Sequence, residues 1–431
     1  MTKIEDEIID ITQDLVRYRT FHESLEEFKY ESEVDDCLDY IEDYFSDTNL
    51  HIQRFGEDQQ EFSGEALDPL FYKNPKPSLV VSTEPTLEPK YMLHGHVDVV
   101  PPQEDNYNAR KQGLDPENEE KRTNLHFEPL IEENKMYGRG TADMKLGVAS
   151  LMKVMKDIDG QDVPPTSLMI VTDEEQGGFR GAGHLFQDVG YNPDFTISAE
   201  PSDTENGYMV VYRQKGNFQL DIEAYGEAVH GSRPWEGECA NRKLINFLND
   251  LEEKFPDYTE DDNWYTTLNI GNMEGGHQTR TTIPDKARAE LGIRFTQDYT
   301  PLEIMEDISD ILGVETYGDT AEDIIEELNN DEKVQDHGFK MPNNEPMQIN
   351  ERGDENIQEL LDIVEDVTGQ PHKPEKKPGA SDARFTTLKG GTGITFGPRG
   401  FNLHGRDEYA DLTSIEPFYQ TIRTLITREN R

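Results

Sequence analysis

The chain has 431 residues, and its 89 acidic against 41 basic side chains give a formal charge of −48 spread along the whole sequence. Such a charge repels phosphates, so it excludes nucleic acid and anionic membranes as partners, and it suits a solvated surface in concentrated salt, as in a halophile's cytoplasm. The length is too great for one small core and fits two domains, or one large domain carrying an insertion.

In chain order, the start at Met1-Thr2-Lys3-Ile4-Glu5 lacks a signal peptide's apolar core, and no apolar run is long enough to span a bilayer. A cytoplasmic location is therefore expected. Val34, Cys37, Leu38, Ile41 and Phe45 share one stripe of a helix that the pattern predicts to be capped by Ser32. Cys37 is thus core filler. With Cys239 as its only companion, far away in sequence, it excludes a disulfide framework and a thiolate zinc cluster.

From residue 5 to 200, amphipathic helices alternate with short apolar strands, which reads as α/β. Three of these strands lead straight into metal-binding residue types. Tyr91-Met92-Leu93 runs into His94-Gly95-His96-Val97-Asp98, Ser167 to Val171 into Thr172-Asp173-Glu174-Glu175, and Phe195-Thr196-Ile197 into Ser198-Ala199-Glu200. Ligands collect at the carboxyl ends of parallel strands, so these junctions point to one metal site built from distant segments.

Taken alone, each residue also has an ordinary reading. His96 and Asp98 fall on one face if the strand continues, where the carboxylate can orient a ligating imidazole; otherwise they are a polar strand end. Asp143 follows the turn Gly138-Arg139-Gly140 and opens a helical stretch, Met144 to Ile158, where an acid is a common cap. Glu174 and Glu175 diverge on an extended segment, one free to reach a metal and the other to face substrate. Glu200 ends a buried strand, where a bare carboxylate costs several kcal/mol. His404 lies late in the chain among glycine turns. Together His96, Asp143, Glu175, Glu200 and His404 supply two imidazoles and three carboxylates, a set for two borderline cations sharing one bridging carboxylate. Without thiolate, zinc is favoured, with cobalt or manganese possible.

Other regions organise the chain. Residues 102 to 125 read as a polar surface loop. Beyond Glu200 the texture changes to alternating strands at Phe218 to Tyr225, Thr267 to Gly271 and Ala287 to Phe295, with helical stretches at Asn241 to Phe255 and Pro301 to Leu312. Helical patterning returns at Asp354 to Thr368. A smaller α+β domain at 207–318 is therefore expected to interrupt a mainly parallel-sheet α/β domain made of 1–206 and 319–431.

His94 to Pro102, Tyr137 to Gly147, Thr172 to Gly178, Ser198 to Ser202 and Leu403 to Glu408 are five blocks in the order of a known family. In these blocks, between about Ile4 and Ile426, the chain resembles the M20-type dinuclear zinc peptidases and deacylases, which include succinyl-diaminopimelate desuccinylase, acetylornithine deacetylase and glutamate carboxypeptidase. The resemblance implies that His96 and Glu200 hold one zinc, that Glu175 and His404 hold the other, and that Asp143 bridges them. It further implies that Asp98 orients His96 and that Glu174 is the general base. The inserted domain would be a lid through which a homodimer forms, with His230 stabilising the oxyanion in the partner's site. Arg294 would grip a substrate carboxylate, and Gly379 and Ser381 would belong to a substrate loop.

Some residues depart from the family. Thr281-Thr282-Ile283-Pro284 stands where the family has Asn before Val-Pro or Ile-Pro, and Arg213-Gln214-Lys215-Gly216 replaces the paired arginines of desuccinylases. The 102–125 loop is longer than the family's connection. The expected activity is release of a free amino acid from an N-acyl amino acid, with an exopeptidase as the rival; Glu200, where aminopeptidase-like relatives carry aspartate, favours a deacylase or carboxypeptidase. An inactive binding homologue would be expected to have lost a ligand or the base, yet all six residues are present.

Overall fold

In the computed structural model the described residues are 2–21, 32–56, 75–113, 119–205, 207–256, 264–276 and 280–428. They divide into two compact units, Met1–Arg213 with Gln348–Glu375 and Ser381–Arg431, and Gln214–Met347 with Lys376–Ala380.

The first unit is built on a sheet whose strands lie in the order His51–Phe55, Ser78–Ser82, Thr166–Val171, Tyr91–His96, Phe195–Ser198, Thr392–Thr395, Val210–Gln214 and Gln348–Ile349. The four strands from Thr166–Val171 to Thr392–Thr395 run parallel, and the outer pairs on one flank are antiparallel. Period-2 alternation feeds both faces. Leu79, Val81, Leu93, Leu168 and Ile170 pack with Ile8, Leu38, Leu151 and Phe418 on one side. Val80, Met92, Met169 and Val171 pack with Phe179, Leu185 and Phe385 on the other. Burying both faces is what a parallel sheet requires.

Register positions the site. His96 pairs with Val171 and His94 with Ser198, so the three chemistry-bearing strands end at one level of the sheet. A second, small sheet orders Gly400–Phe401, Tyr409–Asp411, Lys135–Tyr137 and Leu130–Glu132. Tyr409 pairs with Tyr137 there, which sets the hairpin carrying His404 beside the turn that leads to Asp143.

The second unit is an antiparallel sheet in the order Thr267–Gly275, Lys286–Phe295, Gly216–Tyr225 and His337–Glu345. One face packs Leu220, Ile222, Leu291 and Ile293 against Leu244, Leu248, Ile304 and Leu328 of three helices. It runs past the expected boundary at 318 to Met347, because His337–Glu345 pairs with Gly216–Tyr225 and buries Phe339 in this core.

Three local expectations change. The helix Val34–Phe45 has Glu33 at its N-cap position, not Ser32, and the Glu33 carboxylate bonds Arg19 instead of the helix. Residues 102–125 are not plain loop, since they contain helices Tyr107–Lys111 and Glu119–Asn124 with Asn106, Asn108 and Ala109 buried. The long helix starts at Leu146, and Asp143 before it has extended backbone, φ −117° and ψ 91°. Among the described residues no helix is long and apolar enough to cross a membrane.

Candidate metal centre

His96 closes its strand fully buried. Its Nδ1 lies 2.9 Å from the backbone carbonyl of Asp98, an acceptor only, so Nδ1 carries the proton and donates. In the neutral ring Nε2 is then a bare lone pair, and it faces Asp143 Oδ1 at 3.1 Å and Glu200 Oε1 at 3.8 Å. His404 mirrors this arrangement: its Nε2 is 3.2 Å from Asp143 Oδ2 and 3.1 Å from Glu175 Oε2. Two imidazole nitrogens thus converge on the two oxygens of one carboxylate, with a further carboxylate beside each. Acceptors facing acceptors need protons or cations between them, and a nitrogen-oxygen set of this kind fits divalent cations.

The proton affinities carry the same message. Burial disfavours charge on His96, but hydrogen bonds to Asp143 and Asp98 outweigh it and hold the imidazole well above its usual range. His404 is raised to about 10, first by Asp143 and then by Glu175. Asp143 is depressed despite burial because both imidazoles bond it. Burial and the neighbouring Glu200 charge push the Glu174 carboxyl well above the carboxylate range.

Glu174 and Glu175 sit in a 3-10 turn, Glu174–Gln176, not on the extended segment expected, and the turn still sends them apart. Glu175 joins His96 and Asp143 in one group of candidate donor atoms within 4.8 Å, whereas Glu174 joins His96 and Glu200 in another. The Asp98 carboxylate fixes that turn, accepting the N–H of Glu174 at 3.3 Å and of Glu175 at 3.0 Å. It lies 3.5 Å from His96 Nδ1, farther than its own carbonyl. Gly178, at φ +66°, closes the turn where a Cβ would come within 1.9 Å of Asp382 Oδ1.

Two residues without an assigned role hold the ligand segments together. Arg139 and Glu408 form a fully buried ion pair at 2.5 Å. The other Glu408 oxygen accepts the N–H of Ala142 and Asp143 at 3.1 and 3.2 Å, and Arg139 donates to the His404 carbonyl at 3.1 Å. Both residues stood inside matched sequence blocks, Arg139 between two turn glycines, which is the signal that could have found them. His94 is fully buried, with Nδ1 3.0 Å from Ser198 Oγ and Nε2 3.5 Å from Asp382 Oδ2.

Ser381 is fully buried with its hydroxyl on Gln348 Oε1 at 3.4 Å. His230, Arg294 and Gly379 belong to the second unit. There His230 is exposed and bonds Ser232, and Arg294 is exposed on its strand.

Residues 92–428 match the profile of peptidase family M20/M25/M40. The chain belongs to that family. Family M20 membership makes it a hydrolase of amide bonds, from a metal-dependent family and with a candidate metal site in its own residues. Among curated relatives, succinyl-diaminopimelate desuccinylase of Pelagibacter ubique is 26% identical over 350 residues, covering 78% of this chain and 82% of that one. An M20-family metallo-carboxypeptidase from Sulfolobus solfataricus has the same fold, with TM-score 0.68, 13% identity and 98% of each chain covered. A dinuclear metal-binding M20 peptidase of Bacillus subtilis superposes with TM-score 0.60 at 13% identity, covering 98% of this chain and 97% of that one.

Proposed function

We propose that this M20 member is a deacylase that releases a free amino acid from an N-acyl amino acid, using two divalent cations. The observation that carries the reading is the pair of imidazole nitrogens, of His96 and His404, on the two oxygens of Asp143. His96 and Glu200 would hold one cation, Glu175 and His404 the other, and Asp143 would bridge. The donor set contains no thiolate and suits zinc, with cobalt or manganese as substitutes. When bound, such a pair supplies Lewis acidity toward a carbonyl oxygen and acidifies a water.

The chain's own residues supply positioning and proton transfer. Glu174, raised above the ordinary carboxylate range by burial and by Glu200, is a stronger proton acceptor than a free carboxylate. It takes the proton of the attacking water and returns it to the leaving nitrogen. Asp98 holds Glu174 and Glu175 in register through their backbone N–H groups.

Two copies would pair through the second unit. Its sheet ends at the edge strand Thr267–Gly275, where Met273 is exposed, and the helix Ala240–Glu252 exposes Ile245. An open edge with apolar neighbours is a surface for pairing with a second chain. In that dimer His230 would stabilise the oxyanion of the partner's site, and Arg294 would take a substrate carboxylate, to which a guanidinium fork is matched. Gly379 and Ser381 would border the substrate.

The substrate class is tested by a hydrolysis screen of the zinc- or cobalt-loaded protein in high salt. N-acetylornithine, N-succinyl-diaminopimelate, other N-acyl amino acids and dipeptides are compared. Release of the acyl group from N-acyl amino acids is expected, in line with the desuccinylase relatives. Cleavage of dipeptides alone would replace this reading with an exopeptidase.

A further inference from the structure

The loop that carries His404 has an unusual backbone. Asn402 and His404 both adopt left-handed φ, 57° and 60°, without being glycine. Such a conformation persists where the surroundings impose it. From within, Arg139 holds the His404 carbonyl. From the other side the contacts come from residues 103–111, the start of the stretch that the sequence marks only as a surface loop.

Gln103 Nε2 donates to the same His404 carbonyl at 3.2 Å, and the Tyr107 N–H donates to the Arg406 carbonyl at 3.1 Å. Arg406 bonds Asp105 at 2.6 Å, Arg110 bonds Asp105 at 3.0 Å, and Arg110 also pairs with Asp407. This segment is itself firmly anchored. Buried Asn106 caps the helix Tyr107–Lys111 at 2.9 Å and donates to the carbonyls of Gln103 and Arg122 at 2.8 and 2.7 Å. Buried Asn108 donates to the carbonyls of Glu128 and Tyr137 at 2.8 and 3.2 Å. The Tyr107 ring stacks on Tyr137 with centroids 3.8 Å apart and planes at 10°.

We propose that residues 103–111 are a positioning element for His404: Gln103, Asp105 and Arg110 clamp the 402–407 loop so that its imidazole stays on Asp143 and Glu175. The proposal rests on the reading of His404 as a metal ligand. Single exposed ion pairs contribute little, so the informative change removes the two charges at which the network joins. Asp105 and Arg110 lie in the 102–125 stretch and are not among the five candidate metal donors.

The test is a calorimetric titration of the metal-depleted, full-length protein with cobalt(II), comparing wild type, Asp105→Asn/Arg110→Gln, Gln103→Ala and His404→Ala. In the double variant the first equivalent should bind as in wild type and the second about 10-fold more weakly, at unchanged Tm. Gln103→Ala should weaken the second equivalent in the same sense, and it carries the test if the double variant does not fold. Loss of the second equivalent in His404→Ala, with both clamp variants binding like wild type, overturns the positioning role and leaves the ligand reading standing. Equal weakening of both equivalents overturns it as well, since that is a general structural effect. Wild-type binding of both equivalents by His404→Ala overturns the ligand reading and the clamp with it.

Discussion

At the scale of single residues, Asp143 organises the site because each of its oxygens meets a different imidazole. The metal-free protein should therefore hold protons where metal would sit. His404 is raised from 6.5 to about 10, so its contribution to stability is fully present below pH 6.5 and is lost as pH rises through about 10. The same proton must leave before the ring can ligate, so cobalt affinity should increase with pH up to about 10, with proton release visible as a buffer-dependent enthalpy in calorimetry. A pH-independent affinity over that range would remove His404 from the ligand set. Arg139→Met leaves the Glu408 carboxylate buried without its partner, and should cost about 3–5 kcal/mol in denaturant unfolding. The candidate donor residues were legible because each follows a short apolar run or lies in a matched block. Arg139 and Glu408 each stood in a matched block, but their pairing was not legible, because partners 269 residues apart leave no local spacing to read.

At the scale of elements, short apolar runs placed the parallel strands and period-2 alternation placed antiparallel strands of the second unit, whose ends fall within a few residues of those expected. What escaped was backbone set by partners distant in the chain. Glu408 holds Ala142 and Asp143 out of the helix that the pattern extends back to Met144, and Asn106 and Asn108 fold residues expected to be loop. The Glu174–Gly178 turn gives a direct check on close approach. Gly178→Ala places a Cβ against the Asp382 carboxylate at a left-handed φ, and it should lower stability by about 1–3 kcal/mol in chemical denaturation. An unchanged midpoint would mean that the turn and the Asp382 segment are not packed as described.

For the whole molecule, the α/β expectation and the family agree with the fold, while the inserted unit is longer than its sequence texture indicated because its last strand, His337–Glu345, comes after a third helix, Ala321–Asn330. A formal charge of −48 makes self-repulsion a global term. The Debye length falls from about 10 Å at 0.1 M to about 3 Å at 1 M salt, so Tm should rise steeply with potassium chloride over that range. A flat or falling Tm would show that the acidic surface does not limit stability. The proposed function rests on five residues holding two cations while Glu174 moves the proton. Metal content and hydrolysis measured together on wild type and Glu174→Gln test this most directly. Two equivalents of metal per chain in both proteins, with the rate reduced at least about 100-fold in the variant, is the expected result. A variant that loses an equivalent of metal would make Glu174 a ligand beside His96 and Glu200, and one that keeps both metal and activity would leave the reaction without its base.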